Sequence, residues 1–269
     1  MTWSTYGPGY SATLSTDIGL VVRPRGWTGG PAVIYVHGWG QEVGFYDNGA
    51  FPDGGIWSTS SPNERALIHS MVDAGYIVGL AAFGGPYVSP ANAGGRSTWG
   101  FYPNGFAGGV SDLIDDMRDH LIALGADNAA IPLASFSMGF INSCRYAKDF
   151  PAKVSLISSI AGIASIDHTR LAGVGFLDDI NTAAGGTYVP ATHDQLVDPT
   201  TLAANGDLDG IPIRIHYSAN DNNTEVSIYE AFAAVADDCW LTSLGNVGHG
   251  DATIGAGAGR VMADLAAVA

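Results

Sequence analysis

The sequence predicts one domain of the α/β class, with a mostly parallel central sheet flanked by helices. Apolar runs of strand length alternate with segments of helical period, which is the pattern of a parallel sheet with crossover helices. Several of these runs are apolar throughout, as expected for strands buried on both faces. The chain has 269 residues, of which 46% are hydrophobic and 14% charged, so it can bury a large core.

The elements follow from these patterns in chain order. Buried strands are predicted at 31–38, 76–83, 129–136, 153–163, 211–218 and 239–247, and helices at 61–75, 106–124, 225–236 and 257–269. The first helix opens with Ser61 and Pro62, a cap followed by a first-turn proline, and ends on Gly75. The second carries an apolar stripe, and its four aspartates are interpreted as a solvated face rather than a metal site.

The segment at about 164–210 interrupts this alternation. It is rich in Gly, Asp, Thr and Pro and is too long for a simple crossover connection. We therefore expect an insertion, or cap, over one end of the sheet. No repeat or interdomain linker is visible, so residues 1–269 are expected to form a single domain with this cap embedded in it.

Charge and composition exclude several classes of function. The net charge of −15 argues against nucleic acid, since phosphate binding needs clustered Lys and Arg. No window reaches the roughly 18 apolar residues of a membrane span, and the first residues lack the positive region of a secretory signal. A cytoplasmic location is therefore expected. Cys144 and Cys239 are interpreted as two free thiols, neither placed as a catalytic thiol.

The stretch Ser135-Phe-Ser137-Met-Gly139 falls between a predicted strand and a predicted helix. A catalytic serine at such a bend adopts a strained conformation, so the residues two positions before and after it must be small. Ser137 meets this condition. Ser135 does not, because Leu133 would be its neighbour, and Ser143 lies inside the helix. Ser137 is therefore the candidate nucleophile, with Ser135 in place of the usual first glycine.

The base for such a serine should be a histidine in a loop after the last strand. His249 lies between two glycines, after a predicted strand and before the final helix. His37 ends a strand and is expected to shape its loop. The remaining histidines fall on strands, helices or the predicted cap, namely His69, His120, His168, His193 and His216.

Asp221 is the candidate acid that orients the histidine ring. It follows a predicted strand in a turn-rich loop, where an Asp could also serve as a turn residue, and Asn220 and Glu225 are its nearest rivals. The oxyanion needs two backbone N–H donors. Met138 follows the candidate nucleophile, and Trp39, with Gly40 as the alternative, follows the first central strand. The Trp39 side chain either walls the acyl pocket or is an ordinary loop aromatic.

Four motifs together resemble the α/β-hydrolase family: YVHGWG, SFSMG, SANDNNTEV and GNVGHG. They occur in the family's order, nucleophile, then acid, then histidine. The resemblance implies an eight-strand-type, mostly parallel sheet with an antiparallel edge formed before residue 31. It implies a cap between the sixth and seventh strands, and triad roles for Ser137, Asp221 and His249. It also places Trp99, Phe101 and Tyr102 near the rim of the cleft.

The resemblance implies a serine esterase that works through an acyl-enzyme and needs no metal or organic cofactor. The expected partner is a small-molecule or polymer ester, and the sequence leaves the oligomeric state open. Three alternatives stay open: a peptidase or amidase on the same triad, a non-catalytic binding protein of the same fold, and a virion- or cell-wall-directed esterase. For the last, the composition resembles that of hydrolases encoded by bacteriophages of high-GC hosts, and the protein would be virion-associated.

Overall fold

Nine strands form one sheet in the part of the chain that the computed structural model describes, which comprises residues 4–6, 9–15, 19–38, 62–81, 110–171, 177–184 and 186–269. The strands are β1 (Ser4–Tyr6), β2 (Tyr10–Ser15), β3 (Gly19–Pro24), β4 (Ala32–Val36), β5 (Ile77–Ala81), β6 (Ile131–Phe136), β7 (Val154–Ile160), β8 (Ile213–Tyr217) and β9 (Cys239–Ser243). All six predicted central strands are present, each within its predicted span.

The sheet order is β1-β2-β3-β5-β4-β6-β7-β8-β9. Strands β1 to β3 pair antiparallel with one another, and β3 pairs antiparallel with β5. From β5 to β9 every pair is parallel. The antiparallel edge expected before residue 31 is therefore present. The three-residue β1 extends the expected eight-strand arrangement by one strand.

Helices cover both faces of this sheet. They are α1 (Pro62–Asp73), α2 (Val110–Ala123), α3 (Gly139–Asp149), α4 (Ile166–Leu171), α5 (Leu177–Ala183), α6 (Pro190–Val197), α7 (Pro199–Ala204), α8 (Val226–Val235) and α9 (Asp251–Ala266). One apolar core lies between the sheet and α2, α3 and α8, and a second lies on the other face against α1 and α9. Both faces of the central strands are thus buried, which explains why β4 is apolar throughout its length.

The aspartates of α2 lie as predicted. Asp112, Asp116 and Asp119 are exposed, while Asp115 is half-buried and pairs with Lys153 at 2.7 Å. The apolar residues of the same helix are buried against the sheet. The helix therefore separates a core face from a solvent face.

The final strand and helix differ from their predicted bounds. Strand β9 ends at Ser243, because Gly245 and Gly248 take left-handed backbone angles (φ 79° and 77°) that turn the chain away from the sheet. Helix α9 begins at Asp251, several residues before the predicted start. Gly257 lies inside it because a Cβ there would approach Ile160 Cγ1 to 2.8 Å. Close packing on β7 thus outweighs the low helix propensity of glycine.

The segment between β7 and β8 contains the four short helices α4 to α7 where the sequence indicates irregular structure. When β1 is not counted, β7 and β8 are the sixth and seventh strands, as the resemblance implies. A third apolar cluster joins this segment to the first turn of α3, through Ile166, Ile180 and Val197 on one side and Met138 and Ile141 on the other. The segment therefore packs beside the turn that carries Ser137.

Candidate active site

Ser137 lies on the sharp turn between β6 and α3. Its φ angle is 53°, in the left-handed region that non-glycine residues avoid at a cost of about 1–3 kcal/mol. Backbone hydrogen bonds maintain the turn: the Ser137 N–H donates to the Ile160 carbonyl at 3.1 Å, and the Ser137 carbonyl accepts from Phe140 and Ile163 at 3.0 and 3.1 Å. The strained backbone is thus supported from both β7 and α3, and the side chain stands at the carboxyl end of the sheet.

Gly139 explains why a small residue is needed after this turn. A Cβ at this position would lie 2.0 Å from the Val36 carbonyl oxygen and 2.9 Å from that of His37. Helix α3 therefore starts directly against the end of β4, and only glycine allows this approach. Ser135 is buried in β6 beside Ser159 of β7, and its side chain is small enough for this position.

His249 lies within hydrogen-bonding distance of Ser137. The distance from Nε2 of His249 to Oγ of Ser137 is 2.9 Å. The side chain of His249 is 13% exposed, and its ring packs against Phe136 with 5.2 Å between ring centroids. With a proton on Nδ1, Nε2 can accept the proton of the serine hydroxyl.

Asp221 lies on the other side of the same ring. Its two carboxylate oxygens are 3.0 and 2.9 Å from Nδ1 of His249, and its side chain is fully buried. Oδ1 also accepts hydrogen bonds from the backbone N–H groups of Asn223 at 2.7 Å and Thr224 at 3.3 Å. These donors hold the carboxylate in one orientation and stabilise its negative charge.

The two rival acids lie elsewhere. The Oδ1 of Asn220 accepts from the backbone N–H of Gly248 at 2.8 Å. Glu225 is exposed at the start of α8, and its carboxylate accepts from Ser227. Asp221 is thus the acid that the fold brings to His249.

Two other histidines are buried in polar surroundings. His37 follows β4, and its Nδ1–H donates to the Gly38 carbonyl at 2.9 Å. Burial lowers the pKa of His37 from 6.5 to about 4, so the ring is neutral at pH 7. His216 of β8 donates through Nε2 to Asp264 of α9 at 2.7 Å, and Ser158 of β7 donates to the same oxygen at 2.7 Å. This second Ser-His-Asp group links α9 to the sheet.

The predicted oxyanion donors are only partly described. Met138 is the residue before α3, so its backbone N–H belongs to a helix N-terminus, where negative charge is favoured. Trp39 and its alternative Gly40 lie outside the described residues, as do the predicted rim residues Trp99, Phe101 and Tyr102. The roles of these five positions stay predictions.

Sequence reasoning missed the residues that surround the His249 loop. Asn63 in the first turn of α1 donates through its backbone N–H and its side-chain amide to Asp251, at 2.8 to 3.0 Å. The hydroxyl of Thr253 donates to the Gly248 carbonyl at 2.6 Å. Ser218, which directly follows β8, accepts from backbone N–H groups of the same loop. Of these residues, only Ser218 could have been noticed in the sequence, because it lies at the end of a predicted strand.

Both thiols are free, as expected. Cys144 is buried and Cys239 half-buried. Burial raises the pKa of each, that of Cys239 to about 12. Within the residues described, no group of three or more His, Cys, Asp or Glu side chains could hold a metal ion. None of the helices described is both long and apolar enough to cross a membrane.

No protein-family model matches the sequence, and a search of curated proteins finds no match. Solved structures, in contrast, are similar over almost the whole chain. An S-formylglutathione hydrolase from Agrobacterium tumefaciens is 14% identical with a TM-score of 0.69, and the alignment covers 100% of this chain and 98% of that one. The esterase Est22 is 18% identical with a TM-score of 0.60, over 100% of this chain and 78% of that one.

An acylaminoacyl peptidase from Pyrococcus horikoshii is also similar. It is 13% identical with a TM-score of 0.63, over 99% of this chain but only 40% of that one. At these identities the likeness shows the fold alone. The predicted α/β-hydrolase fold is thereby confirmed.

Proposed function

We propose that this chain, which has the α/β-hydrolase fold, is a serine hydrolase that cleaves carboxylic esters through an acyl-enzyme on Ser137. One observation carries the proposal: an unbroken hydrogen-bonded line from Ser137 through His249 to Asp221, with distances of 2.9 and 2.9 Å, starting from a serine on a left-handed turn. A nucleophile, its base and a group that orients the base are the three parts of an activated serine.

The reaction would begin when Nε2 of His249 removes the proton from Oγ of Ser137 as the oxygen attacks the ester carbonyl. Asp221 then stabilises the imidazolium that forms and keeps its Nδ1–H directed at the carboxylate. The developing oxyanion would be bound by the backbone N–H of Met138 and by that of Trp39 or Gly40. Proton transfer from His249 to the leaving alcohol completes acylation.

Deacylation would repeat these steps with water. His249 removes a proton from the water as the oxygen attacks the acyl carbonyl. The same N–H groups bind the second oxyanion, and the proton returns to Oγ of Ser137 when the acid leaves. Every proton moves between His249 and a reacting oxygen, so the scheme needs no further titrating group.

We propose an ester rather than an amide as the substrate. The similar structures include proteins described as esterases and as peptidases. Esters have the better leaving group, since an alcohol leaves the tetrahedral intermediate more readily than an amine. The high net negative charge of −15 favours neutral or cationic esters over polyanionic ones.

The test is the release of p-nitrophenol from acetyl, butyryl, octanoyl and palmitoyl esters by the wild type and by Ser137→Ala. We expect turnover by the wild type and a loss of about a million-fold in the variant. A fluorophosphonate probe should label the wild type only, and circular dichroism should show that both fold alike. A wild type that neither hydrolyses these esters nor reacts with the probe would overturn the proposal. Labelling without hydrolysis would point to an active serine whose substrate is a larger molecule or an amide.

A further inference from the structure

The loops that carry Asp221 and His249 pair with each other beyond the ends of β8 and β9. The N–H of Leu244 donates to the Tyr217 carbonyl at 2.7 Å, and the N–H of Ala219 donates to the Gly245 carbonyl at 2.8 Å. The parallel pairing of the two strands thus continues for one more step on each side. It stops just before the residues of the candidate triad.

Beyond these residues, a side chain rather than a backbone carbonyl accepts hydrogen bonds from the His249 loop. The Oγ of Ser218 accepts from the N–H groups of Val247 at 3.1 Å and Gly248 at 3.0 Å. Ser218 is fully buried. Its own proton is directed to the Oδ1 of Asn220 at 2.7 Å, with the Gly245 carbonyl at 3.2 Å as the weaker alternative.

The side chain of Asn220 is a second acceptor for N–H groups of the His249 loop. Its Oδ1 lies 2.8 Å from the N–H of Gly248, so this N–H is shared between Asn220 and Ser218. Unlike Ser218, Asn220 is exposed to solvent. We call these four groups the His249-loop clamp: the hydroxyl of Ser218, the amide oxygen of Asn220, and the N–H groups of Val247 and Gly248.

The loop needs such contacts because of its composition. Gly245, Gly248 and Gly250 all have left-handed φ angles, between 77° and 118°. Glycines lose more conformational freedom on folding than other residues, and they have no side chain that could pack. Hydrogen bonds from outside the loop must therefore restrict the backbone that carries His249.

We propose that Ser218 and Asn220 are positioning residues for the reaction, which act by holding the backbone before His249 at a set distance from the Asp221 loop. Asp221 orients the imidazole ring, and the clamp orients the backbone that carries the ring. The expected effect of these residues on kcat rests on the proposed function, because it requires His249 to be the base. A shift of the ring by about 1 Å in such a site can cost about 100-fold in rate.

Three variants test this role: Ser218→Ala, Asn220→Ala and, as a matched control, Ser111→Ala. Ser111 also donates a hydroxyl hydrogen bond, to Asp149 at 2.6 Å, but it lies on α2 away from the site. We expect kcat to fall by about 10- to 100-fold in Ser218→Ala and less in Asn220→Ala, with KM unchanged. The control should keep the wild-type kcat. Because Asn220 is exposed, its variant remains informative should Ser218→Ala fail to fold.

Two further measurements separate positioning from a general loss of stability. Amide hydrogen exchange in residues 244–250 should become faster in both clamp variants, with no change in peptides from α2. Combined with Asp221→Asn, Ser218→Ala should cost less than it does alone, since both changes release the same ring. Full additivity of the two losses, or unchanged exchange in the loop, would overturn the proposal.

Failure of the proposed function gives a different result. In that case the wild type itself hydrolyses no ester and escapes the fluorophosphonate probe, while the exchange experiment still reports on the clamp. Faster exchange in a protein whose kcat does not change would show that the clamp forms but does not position the base. That outcome would reject the inference and leave the esterase proposal intact.

Discussion

The Oγ of Ser137 lies 2.9 Å from Nε2 of His249, although the two residues are 112 positions apart in the chain. The two side chains come from loops at the carboxyl ends of β6 and β9, and Asp221 comes from the loop after β8. In a parallel sheet all these loops meet at one edge. The contact is therefore a direct product of the topology.

Asp221→Asn should fold like the wild type and lose about 10,000-fold in kcat. The asparagine oxygen can still accept from Asn223 and Thr224, so its amide group would face Nδ1 of His249 and favour the wrong tautomer. Steady-state hydrolysis of the best p-nitrophenyl ester measures the loss. Glu225→Gln is the matched control, because Glu225 is an exposed acid in the same loop. An equal loss in both variants would show that Asp221 has no special role.

Gly139→Ala should destabilise the protein by about 3 kcal/mol, because the new methyl group would meet the Val36 carbonyl oxygen at 2.0 Å. The atoms that it would meet are backbone atoms of Val36 and His37, which leave little room for relaxation. Urea denaturation followed by circular dichroism measures the free energy of unfolding. Gly259→Ala is the control: nothing lies within 4 Å of its added Cβ, and it should stabilise α9 by up to about 1 kcal/mol. Similar values for the two variants would contradict the close contact at α3.

The stability of the protein should depend on His37 in mildly acidic solution. The folded protein holds the pKa of His37 at about 4, below 6.5, so between these values the unfolded chain binds more protons. The free energy of unfolding should therefore decrease as the pH falls from about 6.5 to about 4, by up to about 3 kcal/mol from this group.

Chemical denaturation at several pH values checks this dependence. In His37→Gln, the slope of stability against pH between 4 and 6.5 should be smaller than in the wild type. Above about pH 8 the ring is neutral in both the folded and the unfolded protein. The difference in the free energy of unfolding between wild type and variant should there no longer change with pH. Identical slopes in the acidic range would show that His37 binds its proton equally well in the folded protein.

Asp264→Ala should cost about 3 kcal/mol of stability, because it leaves the buried His216 ring and Ser158 hydroxyl without their shared acceptor. Asp264→Asn keeps an oxygen acceptor and should cost less. Thermal unfolding of both variants measures the difference. The exposed Asp119, which pairs with Arg118 on the surface, provides the control, and Asp119→Ala should change the melting temperature little. Equal melting temperatures for all three variants would contradict this role of Asp264.

The sequence predicted the features that depend on local pattern. The central strands follow from their apolar runs, and the Ser137 turn follows from the small residues at 135 and 139. The start of α9 was not predicted because helix propensity disfavours Gly255. That glycine lies inside the helix, where a Cβ would approach the Asn63 side chain to 2.8 Å. The hydrogen bonds of Ser218 to the His249 loop were not predicted either, because they reach residues 29 and 30 positions away.

The spread of the site over the loops after β6, β8 and β9 also has a consequence for the kinetics of folding. Strand β6 must pair with β4, almost 100 residues earlier, and β9 must pair with β8 before the loop of His249 can dock. Contacts of such long sequence separation form late in folding. During refolding from urea, reactivity of Ser137 toward a fluorophosphonate should therefore return after the circular dichroism of helices and strands has recovered, and it would report the completion of the native state.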